Sequence, residues 1–561
     1  MGRSRDSPTP ERAFVTAFAD LVITGADVWT ANAALSWTDS IAIRGDRIVA
    51  LGSTAAGELV GPRTRVLEAP GSMVVPGFQD AHVHPPFAGR NRLHVWLNDL
   101  QGRQGYLDRI AEYAQDNPRL PWIIGGGWAM EYFPGGAPRK EDLDAVVPDR
   151  PVFLMNRDSH GAWVNSKALE TAGITRDTPD PSDGRIERDP DSGEPSGTLH
   201  EGAAYGYQDR HLPPASRAEW EAAILEAQAH LHSLGITGWQ DAWVTPATLE
   251  AYRSLAVGGR LTARVVGALW WDRHRELEQL SDFLTQRESG AAPGFYPTTV
   301  KIMVDGVLEN YTGALLEPYF DGCGGHTDNR GLSYVERDLL AAAVTDLDRH
   351  GFQVHLHAIG DRAVRNALDA IEAARSANGP SDHRHHIAHI QVVQPEDVPR
   401  FGELGVVANL QPYWAQMEPQ MEELTLPFLG HDRAQMQYPF GDLLRSGATL
   451  AMGSDWSVTT ANPLEEIEVA VTRIDPENRA NTPFLPKQAL PLQAALAAFT
   501  VGSAYVNHDE DGGSLQVGHR ADLAMLDRNV LTPGAGSVAD AHVDLTVASG
   551  RVVYESRSSP G

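Results

Sequence analysis

His82 and His84 stand one residue apart in the segment GFQDAHVHPP, residues 77–86. In extended backbone alternate side chains share a face, so both imidazoles point the same way while Val83 points to the other. Two imidazoles on one face can grip one metal ion, and imidazole is a favoured ligand of zinc and its neighbours. An isolated His-x-His pair is more often two unrelated polar residues in a loop. The pair gains meaning only if other segments bring further ligands to it.

The middle of the chain alternates short β-branched runs with amphipathic helical segments, the pattern of repeated βα units. Candidate strands are residues 236–242, 262–271, 298–306, 352–360, 385–391, 405–413 and 448–456. The apolar run Met73-Val74-Val75-Pro76, closed by a Pro-Gly turn signal before His82, makes an eighth. Eight such strands read most economically as a TIM-type (β/α)8 barrel, in which reactive groups sit at the C-terminal ends of the strands. Those ends offer His82 and His84 on the first, Lys301 on the fourth and His355 or His357 on the fifth. His389 follows on the sixth and Asp455 on the eighth. Singly, each has an ordinary explanation: a surface lysine, a hydrogen-bonded core histidine, a helix-capping aspartate. Together at matching ends they predict a metal site.

Residues 93 to about 230 are too long for a simple βα loop and predict an inserted lobe. Both ends of the chain are strand-rich, residues 20–75 before the barrel (76–505) and 506–561 after it. They predict one composite β-sandwich domain, with residues 1–19 as a polar, disordered leader. The 561 residues carry 46 basic against 74 acidic side chains, a formal charge of −28 that argues against a nucleic-acid partner. Hydrophobic residues make up 42% and charged residues 21%, the profile of a globular enzyme. No apolar run reaches the roughly 18 residues of a membrane helix, and the N-terminal stretch, broken by Thr16 and Asp20, does not read as a secretory signal. Cys323 is the only cysteine, which excludes an intrachain disulfide and a thiolate zinc site. A cytoplasmic protein is expected, with a small-molecule substrate, no membrane partner, and a homodimer as the one assembly considered.

The segments PGFQDAHVH, VKIMVDG, HLHAIGDRAV, RHHIAHIQ and GSDWSV resemble the amidohydrolase superfamily, in the branch called amidohydrolase family 3. In the lobe, LDAVVPDRPVFLMNRDSHGAWVNSKAL resembles the same branch, and the likeness spans nearly the whole chain. This resemblance implies an α/β barrel with a composite β-domain, one or two divalent metals, zinc the expected ion, and hydrolysis of a carbon–nitrogen bond. It implies that His82 and His84 hold the more buried ion, and that His357 and His389 hold a second. Lys301 aligns with a lysine that is carboxylated to a bridging carbamate in binuclear members. Asp455 would bind the first ion and shuttle the proton of the attacking water. His357 is preferred to His355 because it lies nearer the strand's C-terminal end, although His355 shares its face. One departure is Ala388, where relatives often carry an acidic residue before the sixth-strand histidine.

Asp80, Asp305 and Asp361 flank the proposed ligands and could orient imidazoles or serve ordinary turns. For substrate contacts the aromatic-rich stretches 125–133 and 160–166 offer Trp128, His160 and Trp163, with core packing the favoured reading for both tryptophans. The expected activity is hydrolysis of an amide-type bond, an N-substituted formamide being the specific expectation. The same site acting on a cyclic amide, carbamate, ester or amidine is the alternative, and a non-catalytic scaffold is the third reading.

Overall fold

A computed structural model describes residues 18–534 and 536–556. Most of the expected leader therefore lies outside the described residues. Eight parallel strands form the centre: β1 (Phe78–Val83), β2 (Ile236–Val244), β3 (Arg264–Trp270), β4 (Phe295–Met303), β5 (Gln353–Ala358), β6 (His386–His389), β7 (Val407–Leu410) and β8 (Leu450–Met452). They neighbour one another in chain order, as right-handed βα crossovers dictate. β5 shows why these segments become barrel strands. All six of its residues are buried. Val354, Leu356 and Ala358 join the apolar layer beneath the helices, which leaves His355 and His357 on the inner face.

The seam between β8 and β1 is closed by the functional segments themselves. Asp455 N–H donates to His82 O at 2.7 Å, and His84 N–H to Trp456 O at 2.9 Å. A Cβ on Gly453 would lie 2.4 Å from the His82 nitrogen, so only glycine allows this approach.

The run Met73–Pro76 is not the first barrel strand. It pairs parallel with Leu21–Trp29 and antiparallel with Leu523–Leu526, in a mixed eight-stranded sheet built from both chain ends. The chain crosses between sheets at Gly77, where a Cβ would meet the Thr237 side chain at 2.3 Å. β1 starts immediately after, so His82 lies within a strand and His84 just beyond it. The inserted lobe carries a six-stranded sheet from Val95–Trp96 to Pro195–Glu201. The helix Arg217–Ser233, opened by a Ser216–Glu219 capping box, packs its Trp220, Ile224 and Leu231 into the barrel's apolar layer. Among the described residues no helix is long and apolar enough to cross a membrane.

Candidate metal centre

The barrel mouth brings His82, His84, Lys301, His357, His389 and Asp455 to the wall of one cavity of about 40 Å³. His82 Nε2 and His84 Nε2 lie 3.2 and 2.9 Å from Asp455 Oδ1. His389 Nδ1 is 3.9 Å from Asp455 Oδ2, and the His357 ring centroid lies 4.5 Å from that of His389. His84 Nδ1, His389 Nδ1 and Asp455 Oδ1 are buried without a hydrogen-bond partner. A buried polar atom left unsatisfied costs about 1–3 kcal/mol. His82, His389 and Asp455 each offer a ligand atom within 4.8 Å of the others, the pattern of a donor set whose partner is a cation, and the neutral-nitrogen and carboxylate-oxygen chemistry suits a divalent ion.

The protonation states agree. Burial holds His82, His357 and His389 well below the ordinary imidazole range, with nearby Lys301 adding to the effect. They are neutral, the form that offers a lone pair. Lys301 is 1% exposed, and burial lowers its ammonium to about 7, against the opposing pull of Asp455.

A chain of polar contacts fixes which nitrogen of His82 is bare. Gln240 Nε2 donates to Gln353 Oε1 at 3.1 Å, which turns the Gln240 carbonyl oxygen toward His355 Nδ1 at 2.7 Å. That oxygen can only accept, so His355 carries its proton on Nδ1 and accepts at Nε2 from His82 Nδ1, 2.8 Å away. His82 Nε2 is left free, facing Asp455. His355 thus lies beneath the cavity and supports a ligand, while His357 lines the cavity. His357 Nε2 donates to Gly306 O at 3.2 Å and leaves Nδ1 free.

Backbone strain concentrates here. His389, Ile390 and Asp455 have φ of 76°, 50° and 54°, each costing about 1–3 kcal/mol for a side-chain-bearing residue. Local contacts hold them: His389 N–H donates to Gln411 Oε1 at 2.7 Å, and Ile390 N–H to Ala358 O at 3.0 Å. Trp414 stacks on His389, with ring centroids 4.9 Å apart and planes 3° from parallel.

Asp80, Asp305 and Asp361 all bind backbone amides. Asp80 accepts from His82 and Ser454 across the barrel seam, and Asp305 from Ala314, Ile359 and Gly360. Asp361 accepts from Leu316 and Arg362. Only Asp305 also approaches an imidazole, at 3.7 Å from His357 Nε2. Of the substrate candidates, only His160 reaches the cavity. Trp128 and Trp163 pack in the lobe's own core, their indole N–H groups held by Leu154 O and Arg139 O. Cys323 is exposed and does not line the cavity.

Glu201 escaped the sequence reading. It is fully buried, at φ 52°, and its Oε1 lies 2.8 Å from His160 Nδ1. The antiparallel pairing of Gly161 with His200 brings the two together. Burial alone would lower the His160 pKa, but the Glu201 carboxylate outweighs it and pushes the imidazolium up to about 9. The lobe thus presents a fixed cation to the cavity.

Asp348, His383 and His385 also have ligand-like spacing. Val354 N–H donates to His385 Nδ1 at 3.1 Å, so the ring proton sits on Nε2 and goes to Asp348 Oδ1 at 3.0 Å. That ring has no lone pair left for an ion. The cluster is a hydrogen-bonded clasp at the barrel's N-terminal end.

The profile of the amidohydrolase family matches residues 65–554. Protein LONG AFTER FAR-RED 3 of Arabidopsis thaliana is 31% identical, over 98% of this chain and 93% of its own. The N-substituted formamide deformylase of Arthrobacter pascens is 28% identical, over 97% of this chain and 100% of its own. Among solved structures, an uncharacterized metal-dependent hydrolase from Pyrococcus furiosus has a TM-score of 0.69 at 26% identity, covering 91% of this chain and 100% of its own. With the barrel, the sheet from both ends and this matched span, the chain belongs to the amidohydrolase family, in its family 3 branch.

Proposed function

We propose that the protein is a metal-dependent hydrolase that splits an amide-type carbon–nitrogen bond in a small molecule, with an N-substituted formamide as the specific substrate class. The observation that carries this reading is the convergence of His82, His389 and Asp455, whose ligand atoms lie within 4.8 Å of one another, with His84 Nε2 2.9 Å from Asp455 Oδ1. His82, His84 and Asp455 would hold one ion, zinc by expectation, and His357 and His389 a second, with a carbamate on Lys301 between them. A divalent ion there supplies Lewis acidity toward a carbonyl oxygen and lowers the pKa of a water it binds.

The chain's own groups do the rest. Asp455 takes the proton of the attacking water and returns it to the departing nitrogen, so no free hydroxide has to form and the amine leaves neutral rather than as an amide anion. The His160 cation, clamped by Glu201, faces the same cavity and steadies negative charge developing on the carbonyl oxygen. Trp243, Trp270 and Trp414 wall the cavity and exclude bulk water.

The N-substituted formamide deformylase matches over 97% of this chain and 100% of its own, which supports that substrate class. The test combines elemental analysis with turnover of N-alkylformamides, N-alkylacetamides, a cyclic amide, a carbamate and an ester. Bound divalent metal, loss of activity on chelation and preference for the formamides are expected. Turnover of another bond class alone would move the substrate within the same site. Full activity in verified metal-free protein would overturn the mechanism.

A further inference from the structure

Outside the metal cavity lies a larger one of about 640 Å³, and the two share Asp158, Trp414 and Val458 in their walls. A substrate whose reacting carbonyl sits at the inner cavity would extend its remainder past these residues. The outer wall carries eight carboxylates but only two guanidiniums. At its inner end Arg157 is the one guanidinium among Glu131, Asp158, Glu309 and Glu418, and it reaches Glu131 Oε1 at 3.2 Å. Among the described residues Asp158, Glu309 and Glu418 have no guanidinium within ion-pair distance, although the His160 imidazolium acts on Asp158 and Glu309. Burial, against the pull of Arg157 and with repulsion from Glu131 and Glu309 added, pushes the Glu418 carboxyl up to about 7.

Two further atoms point to a missing donor. Gln416 is 2% exposed, and its Nε2 donates to Tyr413 O at 3.0 Å, which fixes the amide orientation and leaves Oε1 buried without a partner. The Glu131 side chain is 8% exposed, and its Oε2 is likewise unpartnered. Both residues line the cavity. Buried acceptors of this kind call for N–H groups. Trp96, Tyr132, Tyr413 and Trp456 complete the wall with aromatic faces, which attract organic cations.

We infer that the substrate carries a cationic nitrogen, an ammonium or guanidinium, on the part that extends from the scissile bond into this outer cavity. The inference rests on the hydrolase reading for the position of that bond and goes beyond it in the substrate's charge. Anionic compounds of the same length would be repelled.

The test uses the zinc-loaded full chain and three compounds of one length: N-(5-aminopentyl)formamide, its neutral counterpart N-hexylformamide, and anionic 6-formamidohexanoate. Calorimetric binding and kcat/KM are both read. The ammonium compound should exceed the neutral one by about tenfold in each, and the anion should rank last. Added salt should weaken the cation's advantage, and Glu418→Gln should narrow it. If none of the three is turned over but the ammonium compound still binds tighter through Glu418, the charge inference stands and the amide reading falls. If the neutral compound is hydrolysed and binds at least as tightly as the ammonium compound, the hydrolase reading stands and the inference is overturned. Absence of any binding by the ammonium compound overturns it too.

Discussion

His355 Nε2 lies 2.8 Å from His82 Nδ1, and that contact decides which face of His82 is available to an ion. A ring that keeps its proton on Nδ1 offers Nε2, and support of this kind is worth about 10–100-fold in metal affinity. His355→Phe keeps a ring of similar size but removes the acceptor. The variant should fold, by circular dichroism, and bind zinc about 10–100-fold more weakly in competition with a calibrated chelator. Wild-type affinity would show that His82 is oriented by packing alone.

Asp455 touches both His82 and His84 and anchors its own backbone to His82 O. Asp455→Asn keeps that backbone bond and the side-chain volume but loses the basic oxygen. Turnover should fall by roughly 10²–10⁴-fold, while much of the metal is retained. Near-wild-type kcat, measured with metal content matched, would place the base elsewhere.

Lys301 is buried among imidazoles, where an ammonium would be repelled by bound cations and a carbamate attracted. Lys301→Ala should lose one equivalent of metal and most activity, and a short carboxylic acid in the buffer should restore part of both. In the wild type, ¹³C-labelled bicarbonate should give a carbamate resonance that vanishes in the variant. Its absence from fully metal-loaded protein would leave a single-ion site.

Much of this site was legible because barrel topology turns strand ends into a list. His82, His389 and Asp455, with His355 or His357, could be aligned without knowing any contact, since parallel βα repeats place those ends on one rim. The first strand was not legible. An apolar run followed by Pro-Gly looks the same whether it ends a strand or crosses to another sheet, and Met73–Pro76 does the second. Trp128 and Trp163 were open between substrate contact and core packing for a related reason: aromatic content says nothing about which face of the lobe sheet a side chain takes, and both pack in the lobe core. Gln240 did leave a signal, a polar residue amid the buried run of β2. Glu201 left none, because its partner His160 sits 41 residues away and only strand pairing in the lobe joins them.

The His160–Glu201 pair makes a pH prediction with a definite sign. Glu201 raises the His160 pKa from the ordinary 6.5 to about 9, so the imidazolium persists through neutral pH. Its stabilising contribution is fully present below the unfolded value near 6.5 and is lost as pH climbs through the folded value near 9. Glu201→Gln keeps a hydrogen-bond acceptor but removes the charge. Burial, which opposes the imidazolium, then dominates, and the His160 pKa should fall below its ordinary value. The alkaline limb of kcat/KM should move from near pH 9 in the wild type to below pH 7 in the variant. The gap between their denaturant midpoints should be widest below pH 6.5 and close above pH 9. Proton NMR of the His160 ring follows the same titration directly. If the two proteins share one alkaline limb while the midpoint gap still closes, the pair holds the lobe together and contributes no cation to the reaction.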